Sequence, residues 1–307
     1  MNEANSVAPP TIAKVGVVGC GLMGSGIAEM AAKAGFDTIV HDVDEAFLAR
    51  GRGRLERSLA TAVERGKLSA SEREAAVGHL QFTTSLDTLA DRDLVIEAAT
   101  ENLALKQELF AALDRTCRAE TILASNTSSI PIVQLAAATS RHDRVVGLHF
   151  FNPVPVMRLV EVVQTIGSSE QTVAAVRAFA EALGKKPILA KDRPGFVVNV
   201  LLVPYLLDAV RLFEAGHASK EDIDEGMRLG CGHPMGPLQL LDFVGIDTTF
   251  YIAEIMFEEF KDPKYAPPPL LKQMTIAGLH GRKTERGFYD YRARTDEQST
   301  SAALTAP

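Results

Sequence analysis

Long hydrophobic runs are missing from this 307-residue chain. No apolar stretch reaches the roughly 18–20 residues that span a bilayer, so no membrane span is expected. Cysteine is scarce: Cys20, Cys117 and Cys231 are the whole set, an odd number without metal-ligand spacing. A reduced, cytoplasmic setting is expected, with no metal site. Positive charge is not in excess either. The net charge is −7, which argues against a nucleic-acid surface, because neutralising phosphates takes clustered Lys and Arg. The opening "MNEANSVAPP" holds an acid and no Arg, so neither a secretory signal nor a transit peptide is expected. The polar ends, 1–11 and 294–307, are expected to be flexible tails.

What is present is ordinary globular composition, 46% hydrophobic and 23% charged. The length suits one large or two ordinary domains. From residue 12 to about 190, short apolar runs alternate with amphipathic segments. "KVGVVG", "DTIVHD", "DLVIEA", "TILAS" and "RVVGLHF" read as strands, and 22–34, 44–66 and 103–117 as helices. That alternation predicts an α/β fold, a doubly wound, mostly parallel sheet. The final strands differ. "VVGLHFF" and "RLVEVV" are joined by a turn too short for a crossover helix, so they should run antiparallel. A helix near 170–183 and a strand "KPILA" close this domain, placed at 12–192. After the break at Pro194–Gly195 the pattern turns helical, predicting an all-helical C-terminal domain over 193–293. Its first helix, "FVVNVLLVPYLLDAVRLFEAG", is apolar on most faces and contains Pro204. The next has Ser219 as its N-cap.

Within "KVGVVGCGLMGSGIAEMAAKAGFDTIVHD" the pattern G-x-G-x-x-G falls on Gly19, Gly21 and Gly24. It follows a strand, opens a helix and has Asp42 at the end of the next strand, the context that makes this motif a dinucleotide fingerprint. Gly19 allows the tight turn, Gly21 the approach of a pyrophosphate, and Gly24 close packing of helix on strand. Leu22 and Met23 belong to the same cofactor-binding loop. Asp42 suits the adenosine ribose hydroxyls and repels a 2′-phosphate, so NAD is expected rather than NADP.

Polar residues then gather where strands should end, the edge at which doubly wound sheets bind ligands. Glu101 and Asn102 follow one strand, and Asn102 suits a helix N-cap equally well. "SNTSSIP", 125–131, follows another and suits either a turn or ligand contacts. The third group lies in the hairpin "GLHFFNPVPVMRLVEV", 147–162. If its turn centres on Val154–Pro155, partners across it sum to about 310, and His149 faces Glu161. A neutral imidazole can take a hydroxyl proton, and a carboxylate behind it fixes the tautomer and stabilises the imidazolium. A structural His–Glu pair is the alternative, weakened by the dinucleotide motif beside it. His41 reads as packing. His79, His142, His217, His233 and His280 show no metal spacing, and Met227, Met235, Met256 and Met274 read as core filler.

Taken together, "GCGLMGSGIA", "ASNTSSI", "GLHFFNPVPVMRLVEVV", "KDRPGFVVN", "LLVPYLLDAVRL", "ASKEDIDEGMRLG" and "HPMGPLQLLDFVGIDT" closely resemble the short-chain L-3-hydroxyacyl-CoA dehydrogenases, including bacterial 3-hydroxybutyryl-CoA dehydrogenases. The resemblance runs from about residue 13 to 291. It implies a Rossmann-like NAD domain, a helical domain that forms a homodimer, and reversible oxidation of an (S)-3-hydroxyacyl-CoA to the 3-oxoacyl-CoA. By position it makes His149 the base and Glu161 its orienting partner. Ser128 is the hydroxyl on the substrate oxygen, and Asn199 the asparagine that completes the site. It makes Asp42, Glu101, Lys106, Ser128, Asn152 and, more weakly, Lys283 contacts of NAD. It makes Ser58 a CoA contact, with the family's CoA lysine falling near Arg65–Lys67. One departure stands out: the family commonly has Arg after the asparagine, and here Asn199 is followed by Val200. Two other readings stay open, a dehydrogenase of a free hydroxy or sugar acid (gulonate-like) and a non-catalytic NAD-binding structural protein. Basic residues at 65–67 favour CoA over the first, and the four catalytic positions favour an enzyme over the second.

Overall fold

The computed structural model describes residues 10–292, so the expected tails fall almost wholly outside it. The chain divides into two units after Phe196. The first contains β1 (Lys14–Val18), α1 (Leu22–Lys33), β2 (Asp37–His41), α2 (Glu45–Glu64), α3 (Ala70–Gly78), β3 (Leu80–Thr83), β4 (Leu94–Glu97), α4 (Leu103–Thr116), β5 (Ile122–Ser125), α5 (Ile132–Ala136), β6 (Val145–Phe150), β7 (Leu159–Gln164), α6 (Glu170–Ala182) and β8 (Lys186–Lys191). Eight strands form one sheet in the order β3-β2-β1-β4-β5-β6-β7-β8. Every neighbouring pair is parallel except β6 with β7. The doubly wound sheet with an antiparallel turn near its end is the one the strand pattern predicts. The pattern passes over α3, β3 and α5, short elements with few apolar residues or no caps to mark them.

Central parallel strands are covered on both faces, which is why runs such as Val15–Val18 are apolar without alternation. One face packs Val17, Val40, Ile96, Leu148, Phe150, Val160 and Val162 with side chains of α1, α2 and α6. The other packs Val95, Leu123, Val145 and Val163 with Phe110 and Leu113 of α4 and Ile132 of α5. Helix starts are set by short polar side chains. Asp44 caps α2, Ser69 forms a capping box with Glu72 on α3, Asn102 caps α4 and Ser169 caps α6. Each such cap is worth about 1 kcal/mol. Residues 193–196, assigned above to the helical domain, pack with the sheet, because the ring of Phe196 is buried among the side chains of this second face.

The second unit holds α7 (Val198–Glu214), α8 (Lys220–Cys231), α9 (Pro237–Val244), α10 (Ile246–Phe260) and α11 (Pro269–Ile276) around Leu206, Leu207, Leu238, Leu241, Phe250, Met256 and Leu271. Pro204 lies inside α7 and Ser219 caps α8, as expected. Helix α7 buries one face in this unit and leaves Leu201 exposed. Among the described residues, the final "GFYDY" forms no strand, only the isolated bridge of Asp290 with Arg286. Among the described residues, no helix is long and apolar enough to cross a membrane.

Candidate active site

The glycine loop sits between β1 and α1. Gly19 has a φ of +96°, and a Cβ there would lie 2.7 Å from the Ala98 carbonyl oxygen of the neighbouring strand's end. A Cβ on Gly24 would lie 1.7 Å from the Gly19 carbonyl oxygen, so the third glycine folds helix onto loop as well as onto Val17 of β1. A Cβ on Gly21 would meet nothing within 4 Å, and no side chain caps α1 at Gly21. Open space above a helix N-terminus whose first amides lack a side-chain acceptor fits a pyrophosphate. Leu22 and Met23 form the first turn, with Leu22 exposed. Asp42 follows β2, half-buried. Its carboxylate accepts the amides of Cys20 and Val43, both at 2.7 Å, and so ties the glycine loop to the end of β2. A carboxylate has lone pairs beyond those two for ribose hydroxyls. Burial, and next the Asp42 charge, push the Cys20 thiol up to about 11, so it is no nucleophile here. These residues fit NAD.

The hairpin register is Gly147 with Val163, Leu148 with Val162, His149 with Glu161 and Phe150 with Val160. His149 Nδ1 lies 2.7 Å from Glu161 Oε2. Glu161 is 0% exposed and His149 7%. Phe151 and Phe196 pack on the imidazole at ring distances of 4.7 and 5.5 Å. When the imidazole is neutral, a carboxylate at this distance selects the tautomer in which Nδ1 donates and Nε2 presents a lone pair. Nε2 makes no hydrogen bond to the described residues and is not sealed from solvent. Strand alternation puts His149 and Glu161 on the same sheet face as Glu97 and Ser125, the face of α4 and α5.

The end of β4 carries a group that sequence reasoning missed. Glu97, fully buried, accepts from the Lys106 ammonium at 2.5 Å, the Ser125 hydroxyl at 2.6 Å and the Ala99 amide at 2.6 Å. Glu101 lies 3.4 Å from the same ammonium and accepts from the hydroxyls of Thr127 and Ser129. Between those two, Ser128 is half-buried with its hydroxyl outside this network. Asn126 accepts the Phe150 amide at 2.9 Å, coupling the β5 turn to the residue after His149. The available signal was a carboxylate inside the otherwise apolar strand "DLVIEAA". Asn102 spends its side chain on the α4 cap. Asn152 is exposed in the hairpin turn.

Of the CoA candidates, Ser58 is half-buried on α2 beside the carboxyl of Glu29, whose pKa burial raises and the Ser58 hydrogen bond lowers in part. Arg65 and Lys67 are exposed at and beyond the end of that helix. In the second unit, Asn199 is half-buried in the first turn of α7, and Lys283 is ion-paired with Asp247.

The sequence matches the family model for the 3-hydroxyacyl-CoA dehydrogenase NAD binding domain over residues 14–193, and that for the 3-hydroxyacyl-CoA dehydrogenase C-terminal domain over 195–291. It is 55% identical to a 3-hydroxybutyryl-CoA dehydrogenase of Mycobacterium tuberculosis over 91% of this chain and 99% of that one. It is 46% identical to the mitochondrial hydroxyacyl-coenzyme A dehydrogenase of Homo sapiens over 95% of each. The crystal structure of (S)-3-hydroxybutyryl-CoA dehydrogenase from Ralstonia eutropha is similar with a TM-score of 0.89 at 46% identity, covering 92% of this chain and 99% of that one. With both family models matched in succession and relatives covered nearly end to end, the chain belongs to the 3-hydroxyacyl-CoA dehydrogenase family.

Proposed function

We propose that this NAD-dependent 3-hydroxyacyl-CoA dehydrogenase acts on short substrates of the 3-hydroxybutyryl-CoA type, with His149 as the base. The observation that carries the base assignment is the 2.7 Å contact of His149 Nδ1 with Glu161 on a buried face. Glu161 holds the ring so that Nε2 receives the proton of the 3-hydroxyl, and its charge stabilises the imidazolium that forms. NAD, when bound, takes up the hydride that the carbinol carbon loses. Ser128 orients the substrate oxygen with a hydroxyl that the surrounding network leaves unused. In the reverse direction the imidazolium returns its proton to the oxygen of the 3-oxoacyl group. The glycine loop and Asp42 hold the adenosine half of NAD, while Glu101, Lys106 and Asn152 serve the other half. Ser58 and Arg65, seven residues apart on α2 and its cap, lie about 10 Å apart along one helix face and suit the phosphate-bearing end of CoA, with Lys67 just beyond. Asn199 and Lys283 take their roles from the family resemblance.

The short-chain preference is supported by the names of the bacterial relatives. A homodimer through the second unit is supported by its exposed apolar side chains, Leu201, Leu229, Tyr251 and Ile276. The test is reduction of acetoacetyl-CoA by NADH with wild type and His149→Ala. The variant should lose at least ~10²-fold in kcat/KM. Equal rates would remove His149 from the mechanism.

A further inference from the structure

We propose that Glu97 is a positioning residue of the NAD site, holding the Lys106 ammonium and the turn after β5 in place; the proposal rests on Lys106 as an NAD contact. Glu97 is 0% exposed and Lys106 1%, and their contact is 2.5 Å. A buried ion pair is a poor stabiliser compared with apolar side chains of the same volume. Holding helix α4 on the sheet does not require this one. Helix α4 is already capped by Asn102 and anchored by Phe110 and Leu113, both fully buried.

What the pair does hold is the ligand edge of the sheet. One oxygen of Glu97 takes the ammonium and the Ala99 amide, fixing the turn after β4. The other takes the Ser125 hydroxyl. That hydroxyl oxygen in turn accepts the Thr127 amide at 3.2 Å. From Lys106 the chain of contacts continues to Glu101, partly exposed, and from Glu101 to Thr127 and Ser129 on either side of Ser128. Glu97 is thus the buried end of a network whose outer end is Glu101 and the Ser128 turn. Without its charge, the ammonium is free to swing toward Glu101, and both turns lose a tether.

The experiment compares wild type with Glu97→Asp, Glu97→Gln and Lys106→Met, using NADH affinity by fluorescence, thermal unfolding, and steady-state kinetics with acetoacetyl-CoA. Glu97→Asp keeps the charge and moves it by about one methylene. It carries the test if Glu97→Gln, which leaves the buried lysine poorly paired, does not fold. We expect Glu97→Asp to fold and to weaken NADH binding about tenfold or more, the range of one charge-assisted hydrogen bond. Its KM for NADH should rise while kcat at saturating NADH stays within about threefold, a split that general loosening would not produce. Lys106→Met should weaken NADH binding to a similar degree. If Lys106→Met binds NADH weakly but both Glu97 variants bind it as wild type does, the positioning role is overturned. If Lys106→Met itself binds NADH normally, the reading of Lys106 fails, and the proposal built on it falls too.

Discussion

In the second unit, Asp224 and Asp242 are buried and their oxygens are filled from within. Asp224 accepts the amides of Leu238 and Gln239 and the hydroxyl of Tyr289. Asp242 accepts the amides of Phe288 and Tyr289 and the hydroxyl of Tyr291. Both carboxylates staple α8 and α9 to the segment around Phe288–Tyr291. In the first unit, Glu161 and Glu97 are buried as deeply, but each grips the polar end of another side chain, and the ammonium held by Glu97 also reaches the Ala99 carbonyl and Glu101. Glu161 holds an imidazole whose Nε2 has no partner among the described residues, and Glu97 an ammonium. A buried carboxylate saturated by backbone amides is part of the framework. One that orients an imidazole or an ammonium passes its electrostatic influence to that side chain and, on our proposal, to the ligand it serves.

The sharpest break in that comparison is Glu161→Gln. The amide keeps the shape and can accept from Nδ1, but it does not stabilise the imidazolium. We expect kcat/KM for acetoacetyl-CoA to fall about 10²-fold, close to 2.7 kcal/mol of transition-state stabilisation. NADH affinity and thermal stability should change little. A variant as active as wild type would reclassify the pair as structural. Asp242→Ala should behave in the opposite way. It leaves two amides and a tyrosine hydroxyl without their acceptor, which should cost about 2 kcal/mol in stability. Activity per folded molecule should be kept, as measured by denaturant unfolding alongside kinetics below the new midpoint. Loss of turnover without loss of stability would erase the contrast between the two units.

The same contrast explains what was legible in the sequence. The glycine loop, Asp42 and the His149–Glu161 register follow from local rules: a turn needing Gly, a strand end, and a hairpin whose turn centre sets which residues face each other. The mostly parallel, doubly wound sheet with its antiparallel turn was legible too, since strand and helix alternate and only one connection is too short for a crossover, although the strand order was not. The hub at Glu97 was not. It unites β4, α4 and β5, and Lys106 and Ser125 lie 9 and 28 residues away in the chain. Only the packing of α4 beside the sheet brings them together. The role of Asp224 and Asp242 was illegible for the same reason, because their donors come from segments up to 65 residues distant. β3 was missed because an edge strand of four residues, three half-exposed and one exposed, carries almost no apolar pattern.

A smaller effect refines the comparison, because saturation does not make a buried carboxylate electrostatically silent. Burial, more than any other cause, raises the pKa of Asp242 above the ordinary 3.8, and the Asp224 charge adds to this; the amides of Tyr289 and Phe288 and the Tyr291 hydroxyl oppose it only in part. Below 3.8 both folded and unfolded chains hold the proton, and the contribution to stability is complete. As pH rises from there, the unfolded chain releases its proton first, so stability is lost until pH has passed the raised folded value. Asp242→Asn removes this titration but leaves that of Glu29, which burial also raises. The unfolding free energy of wild type should therefore fall more steeply with pH across that acidic window than that of Asp242→Asn. The difference should be smaller than the loss in Asp242→Ala. Urea midpoints taken in steps across the window measure it, and parallel curves for the two proteins would show that the tyrosine and amide donors offset the burial of Asp242 in full.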